Sequence, residues 1–146
     1  MTVYHERQID RARAREVADA LERAWGCELV ATPPRSRFDF TAIRDGEPVG
    51  VIEVKVRYNR GPHDFGGAVL LNDDKRAALL EAADSGAAIY AACYPPVVHW
   101  LDVRDLPPAA RLEHLGRPDW RDERGARPCW RIPVSCTGRL FVWEDA

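Results

Sequence analysis

The tightest constraint on this chain lies between residues 37 and 58, where two alternating runs flank Asp45-Gly46. Arg37 to Ile43 and Val49 to Tyr58 repeat their apolar residues with period two, the period of a strand. Asp-Gly between such runs predicts a hairpin. In the second arm Ile52, Val54 and Val56 share one face, while Val51, Glu53, Lys55 and Arg57 share the other. In the first arm Phe38, Phe40 and Ala42 oppose Arg37, Asp39, Thr41 and Ile43. A two-residue turn would pair Arg44 with Glu47, and so Phe38 with Glu53, mixing large apolar groups with charges. A loop of three or five residues moves the pairing by one, and Phe38, Phe40, Ile52, Val54 and Val56 then make one buried face. Because a one-residue slip turns every side chain over, the pattern selects the longer loop, which also keeps Pro48 out of the ladder.

That register sets Asp39 opposite Glu53. Directly paired residues have Cβ atoms about 5 Å apart, and like charges there repel. Lys55, on the same face, compensates in part. A divalent cation compensates more, since Mg²⁺ is commonly held by one or two carboxylates, with water and phosphate completing its shell. The hairpin therefore has the donors of a metal site open to a phosphate. Asp and E-x-K also occur by chance on exposed sheet faces.

The surrounding elements are read from periodicity and punctuation. From about Tyr4 to Trp25 the spacing of Ile9, Val17, Ala20, Leu21, Ala24 and Trp25 predicts a helix, stopped by Gly26. A short strand, Cys27 to Ala31, follows before Thr32-Pro33-Pro34. After the hairpin, residues 59–67 (NRGPHDFGG) form a loop, and Asp73 caps a helix from about Asp74 to Ser85, ended by Gly86. The run AAIYAACY (87–94) has the character of a buried strand. Pro95-Pro96 turns the chain into VVHWLDV (97–103), another strand. Beyond Leu106 the chain becomes rich in Pro and Arg, with strand candidates only at WRIPVS (130–135) and RLFVW (139–143). The fold class is mixed α/β in one domain, 1–146, with its core over about 7–103 and a C-terminal β and loop extension over 104–146.

Composition narrows the function. Net charge is −2, so this is not a globally basic nucleic-acid binder, although Arg-rich stretches recur and Lys stands only at 55 and 75. Arg is the residue suited to bidentate phosphate contacts. Cys27, Cys93, Cys129 and Cys136 have neither CxxC nor zinc-ligand spacing and read as reduced thiols. No apolar run approaches the roughly 18 residues of a membrane span. The polar start of the chain gives no secretory signal, and the expected location is the cytoplasm.

Asp39 and Glu53-Val54-Lys55 together resemble the signature of the PD-(D/E)xK nuclease superfamily, the restriction-endonuclease-like fold. Its αβββαβ core is similar to the element order from about Arg7 to Val103. Phe38 stands where the motif has Pro. Many such enzymes, small Holliday-junction resolvases among them, carry a further acid on the first helix. Glu16 matches best, ahead of Glu6, Asp10 and Glu22. The resemblance implies a mixed central sheet flanked by helices and Mg²⁺-dependent phosphodiester hydrolysis, with Mn²⁺ as the substitute ion. Asp39, Glu53 and the main-chain carbonyl of Val54 would ligate the metal, and Glu16 would complete the shell directly, through water or at a second metal. Lys55 would orient the attacking water and stabilise charge on the phosphoryl oxygens.

Arg57, on the same strand face, is a candidate contact to a neighbouring phosphate or a solvated strand-end residue. Lys75, at the start of the second helix, opposes the helix dipole's preference and is a second phosphate candidate. His63 reads as an exposed loop residue near the site, and His99 as a hydrogen-bonded core residue. The partner implied is nucleic acid, with DNA, including branched DNA, as the first expectation. A homodimer would suit the cutting of two strands, and a small enzyme with this motif would suit a phage. The competing reading is a nucleic-acid-binding or scaffold module that keeps the nuclease fold without turnover.

Overall fold

A computed structural model describes residues 8–33, 35–57, 61–116 and 126–142. The first helix, α1 (Gln8–Trp25), forms around a buried stripe of Val17, Ala18, Ala20 and Leu21. It ends where Gly26 takes φ 65° and donates its N–H to the Glu22 carbonyl, the left-handed stop that glycine permits. Tyr4 to Arg7, the predicted first turn, lie outside the described residues. The chain then enters β1 (Glu28–Ala31), β2 (Phe40–Arg44) and β3 (Glu47–Val56).

The β2–β3 hairpin corrects the turn expected from sequence. Asp45 and Gly46 have φ of 53° and 78°, the two positive values of a tight type I′ turn. Arg44 pairs with Glu47 and Ile43 with Pro48, so the proline is in the ladder. The register then shifts, because Ala42 pairs with Gly50 and leaves Val49 as a bulge residue. Past the bulge Phe40 pairs with Ile52, the alignment that the hydrophobic pattern demanded. Phe38 is a second correction. It packs with the cluster opposite the one holding Phe40, Ile52 and Val54, because the chain bends over residues 37–39 and breaks the alternation.

A single 3₁₀ turn (Pro62–Phe65) leads to β4 (Ala68–Asn72) and α2 (Asp73–Ala83), with Asn72 rather than Asp73 at the N-cap. Then come β5 (Ala87–Tyr94), β6 (Val97–Asp102), β7 (Arg111–Gly116), β8 (Ala126–Pro133) and β9 (Gly138–Phe141). The central sheet runs β1-β2-β3-β5-β6-β9. It is mixed, since β3 and β5 pair in parallel while the other neighbours are antiparallel. The αβββαβ order is thus present, interrupted by β4, which joins β8 and β7 in a second, three-stranded sheet. Strands β4 and β7 are absent from the sequence expectation, and residues 134–136 form a 3₁₀ turn instead of extending a strand. Of the last strand candidate, Trp143 lies outside the described residues.

Two apolar clusters cover the two faces of the central sheet. Val17, Ala18 and Leu21 of α1 pack with Phe40, Ile52, Val54, Ala91 and Cys93 on one face. Leu79 of α2 and Val69, Leu71 and Ile132 of the second sheet pack with Val51, Ala88, Tyr90 and Ala92 on the other. Strand β3 is therefore buried on both sides, and its α2 face carries Glu53 at mid-strand.

Candidate active site

Asp39 sits just before β2, where the chain is held from both sides. Its N–H donates to the Ile52 carbonyl at 3.0 Å, and its own carbonyl accepts from Thr32 N–H at 2.9 Å. Its carboxylate accepts a hydrogen bond from the backbone N–H of Val54 at 2.8 Å. Since a strand residue turns its N–H and C=O toward the same edge, the Val54 carbonyl points to the side where Asp39 lies. Asp39 lies near enough to Glu53 for its charge to act on the Glu53 carboxyl.

Glu53 projects beneath α2 with a side chain only 16 % exposed. Its Oε1 is 3.4 Å from Lys75 Nζ, which also donates to the Arg37 carbonyl at 3.2 Å. Its Oε2 is buried with no hydrogen-bond partner. Burial, and then the Asp39 charge, push the carboxyl up to about 7, against the pull of Lys75 and Lys55. Desolvation and a like charge raise a carboxyl; nearby cations lower it. Glu53 thus senses all three neighbours, and Asp39, Glu53, Lys55 and Lys75 form one electrostatic group.

Lys75, expected as a phosphate contact at a helix start, reaches back over the sheet to a carboxylate. Lys55 is exposed and Asp39 half-buried. Glu16 lies on α1. It pairs with Arg13 at 3.0 Å on α1, the helix that covers the opposite face of the sheet. It adds to the charge felt by Cys93, which faces α1. Among the described residues no group of three His, Cys, Asp or Glu side chains gathers as a metal cluster. The weaker helix candidate Glu22 binds Arg15 and the Leu29 N–H. Glu6 and the side chain of Asp10 lie outside the description.

The donors present fit a hard divalent ion. Two adjacent carboxylates, one with a buried oxygen that lacks a donor, and a carbonyl turned to the same side match a metal that keeps several waters.

Past Lys55 the same face continues to Arg57, whose N–H bonds the Cys93 carbonyl at 2.9 Å. Arg57 Nε and Tyr94 Oη are both buried without a hydrogen-bond partner, whereas the Tyr90 hydroxyl donates to the Leu70 carbonyl. Tyr94 escapes a sequence reading because it falls within an apolar run. The available signal is its spacing of four from Tyr90, which puts both phenols on the face that carries Glu53.

The histidines fall as expected. The His63 side chain is 85 % exposed beside Asp64. His99 is buried, and its Nδ1 lies 3.0 Å from Thr137 Oγ1, which donates to the Val134 carbonyl. Burial and Arg139 lower the His99 pKa, and since the Thr137 hydroxyl gives its proton to the Val134 carbonyl, Nδ1 is the donor of the His99–Thr137 pair. The four cysteines are free thiols.

A family model described as "Phage putative PDDEXK endonuclease" matches residues 2–140, nearly the whole chain. No curated protein matches it. Among the described residues no helix is long and apolar enough to cross a membrane. The mixed six-stranded sheet with its two helices has the restriction-endonuclease-like architecture, and a nuclease of this kind acts on nucleic acid. By fold, by the hairpin that joins Asp39 to Glu53-Val54-Lys55 and by this match, the chain belongs to the phage PDDEXK endonuclease family.

Proposed function

We propose that the chain hydrolyses phosphodiester bonds in DNA with the help of a divalent ion, Mg²⁺ or in its place Mn²⁺, and that branched DNA is among its substrates. The observation that carries this reading is Glu53 Oε2, buried without a partner next to the Asp39 carboxylate. An orphaned buried carboxylate oxygen is costly, and a cation removes that cost.

In this reading Asp39, Glu53 and the Val54 carbonyl hold the ion, which supplies an acidified water and a polarised phosphate. Lys55, two residues beyond Glu53 on the same face, orients the water and offsets charge developing on the phosphoryl oxygens. Lys75 keeps Glu53 partly compensated before substrate arrives, then offers its ammonium to the phosphate. Glu16 acts from α1 through water rather than through direct contact.

The test is incubation of the purified protein with supercoiled plasmid and with a four-way DNA junction, in Mg²⁺, in Mn²⁺ and in EDTA. Asp39→Ala and Lys55→Ala run alongside. Metal-dependent cutting that falls by about a thousandfold in each variant, the scale of a lost electrostatic stabiliser, supports the enzyme. Binding of the junction without cutting under any metal would instead identify a scaffold module. An unchanged melting temperature on adding either ion would remove the metal site from the reading.

A further inference from the structure

Helix α2 brings Lys75 to Glu53, yet its own sequence does little to hold its first turn. Asn72, at the N-cap, makes no side-chain hydrogen bond to the helix, the contact that ordinarily secures a start. Leu79, its buried residue, lies well inside the helix. The first turn is held instead from the second sheet. Trp130 Nε1–H donates to Asp73 Oδ1 at 2.8 Å. The Arg76 guanidinium stands 5.7 Å from the centre of the Trp130 ring and donates through Nε to the Val103 carbonyl at 2.9 Å. Asp73 and Arg76, three residues apart, share one side of a helix, so a single indole grips both ends of the turn. Lys75 lies between them in sequence, and its ammonium reaches Glu53 at 3.4 Å and the Arg37 carbonyl at 3.2 Å.

Trp130 can hold the helix because its own place is fixed from both sides. It pairs with Leu71 of β4 and with Leu112 of β7, on the middle strand of the second sheet. Strand β4 ends at Asn72 and α2 begins at Asp73, so this pairing delivers the indole to the junction of strand and helix. The ring packs against the cluster of Val69, Leu71 and Leu79. A packed indole needs an acceptor for its N–H, and here the acceptor is Asp73. The Arg76 cation over the ring adds an attraction of its own.

We infer that Trp130 is a positioning residue of the active site, which acts through Asp73 and Arg76 to set the first turn of α2 so that the Lys75 ammonium stands at Glu53. The use of Lys75 on a phosphate rests on the nuclease reading; the placement of Lys75 by Trp130 does not. The second sheet, which interrupts the αβββαβ order, is thereby a support of the site rather than an appendage.

Two measurements keep these dependences apart. The chain has lysine only at 55 and 75, so acylation by acetic anhydride, mapped by mass spectrometry in EDTA without DNA, reads the two amino groups separately. Trp130→Phe keeps an aromatic ring and removes the N–H. Lys75 should be acylated about tenfold faster in Trp130→Phe than in the wild type, the scale of a lost hydrogen bond to a charged group, while Lys55 keeps its rate. Asp73→Ala should expose Lys75 in the same way, and Asp73→Asn, which keeps an acceptor oxygen, should recover most of the protection. Equal acylation of Lys75 in the wild type and Trp130→Phe would overturn the assignment. A parallel rise at Lys55, the mark of general loosening, would overturn it too.

In Mg²⁺, plasmid cutting by Trp130→Phe, Lys75→Met and the double variant reads the consequence. Trp130→Phe should lower kcat about tenfold, as the loss of a supporting residue does. It should add nothing to the loss in Lys75→Met, because residues that act through one another are not additive. A double variant as slow as the product of the two single losses would count against a role through Lys75. If Trp130→Phe fails to fold, Asp73→Ala replaces it in both measurements, with the same expected and contrary results. Should the wild type cut nothing in any metal, the nuclease reading fails while acylation still decides whether Trp130 places Lys75.

Discussion

A carboxyl held near neutrality makes folding itself sensitive to pH, and Glu53 is such a group. Its ordinary value is 4.5 and its folded value about 7, so between these limits the unfolded chain releases a proton that the folded chain keeps. Stability therefore falls as pH rises through that window and stays low above it, each pH unit of separation being worth about 1.4 kcal/mol. In EDTA, melting temperatures taken from pH 5 to 8 should fall in the wild type relative to Glu53→Gln, with the gap widening toward pH 8. A millimolar divalent ion should close the gap by binding the ionised carboxylate. A gap that does not change with pH would mean that folding leaves the Glu53 titration where it is in the unfolded chain. The same scale assigns Glu16 its weight. Since its carboxylate pairs with Arg13 on α1, Glu16→Ala should lower cutting by about tenfold or less, against the thousandfold loss of an acid that holds the ion; equal losses would place it in the ligand set. Glu53 and Lys55 were legible as a pair because strand periodicity sets their face, and Asp39 came with them because the apolar pattern required Phe40 opposite Ile52. The Lys75 contact and the buried Tyr94 hydroxyl were not, because α2 and β5 reach them only through tertiary packing.

At the level of elements the hairpin shows where pattern suffices and where it does not. Hydrophobic alternation required Phe40 opposite Ile52, and that pairing is present. The route to it was hidden, since a longer loop and a tight turn with a bulge at Val49 give the same pairing beyond Ala42. Strand β7 is hard to read because RLEHLG mixes charges with its apolar residues, and β4 because AVLLN is short and runs straight into α2. Gly50, by contrast, has a role only the structure reveals. A Cβ there would lie 2.6 Å from the Ala87 carbonyl and 2.9 Å from its Cβ, at the first rung of the parallel pairing that continues to Glu53–Tyr90. Backbone cannot yield as a flexible side chain can. Gly50→Ala should destabilise by about 1–3 kcal/mol, the range for overpacking, and should lower cutting by shifting Glu53 against Asp39. A thermal melt and a plasmid assay check the two parts. An unchanged melting temperature would show that β3 and β5 can part without loss.

For the molecule as a whole, a net charge of −2 has to be reconciled with a polyanionic substrate. Net charge supplies no attraction for a nucleic acid, so binding depends on cations concentrated locally. Among the described residues of the α2 face those include Lys55 and Lys75, beside Glu53, with Arg57 two residues farther along the strand; Arg37 is tied to Glu81 at 3.2 Å and Arg76 to the Val103 carbonyl at 2.9 Å. A binder that covers DNA with a broad basic groove shows steep salt dependence, because each phosphate it neutralises releases counterions. Three local contacts should give a slope of log affinity against log salt near −3, at about 0.9 for each phosphate. Association should also be slow, lacking electrostatic steering. Fluorescence anisotropy in EDTA, with salt varied from low to physiological, measures the slope directly. A value near −3 fits an enzyme that grips a short stretch of backbone around its cut and relies on the bound ion for the rest. A slope as steep as about −6, twice that value, would require a second basic surface, and the residues around the second sheet, where Arg111 and Arg131 pair across β7 and β8, would be the first place to look for it.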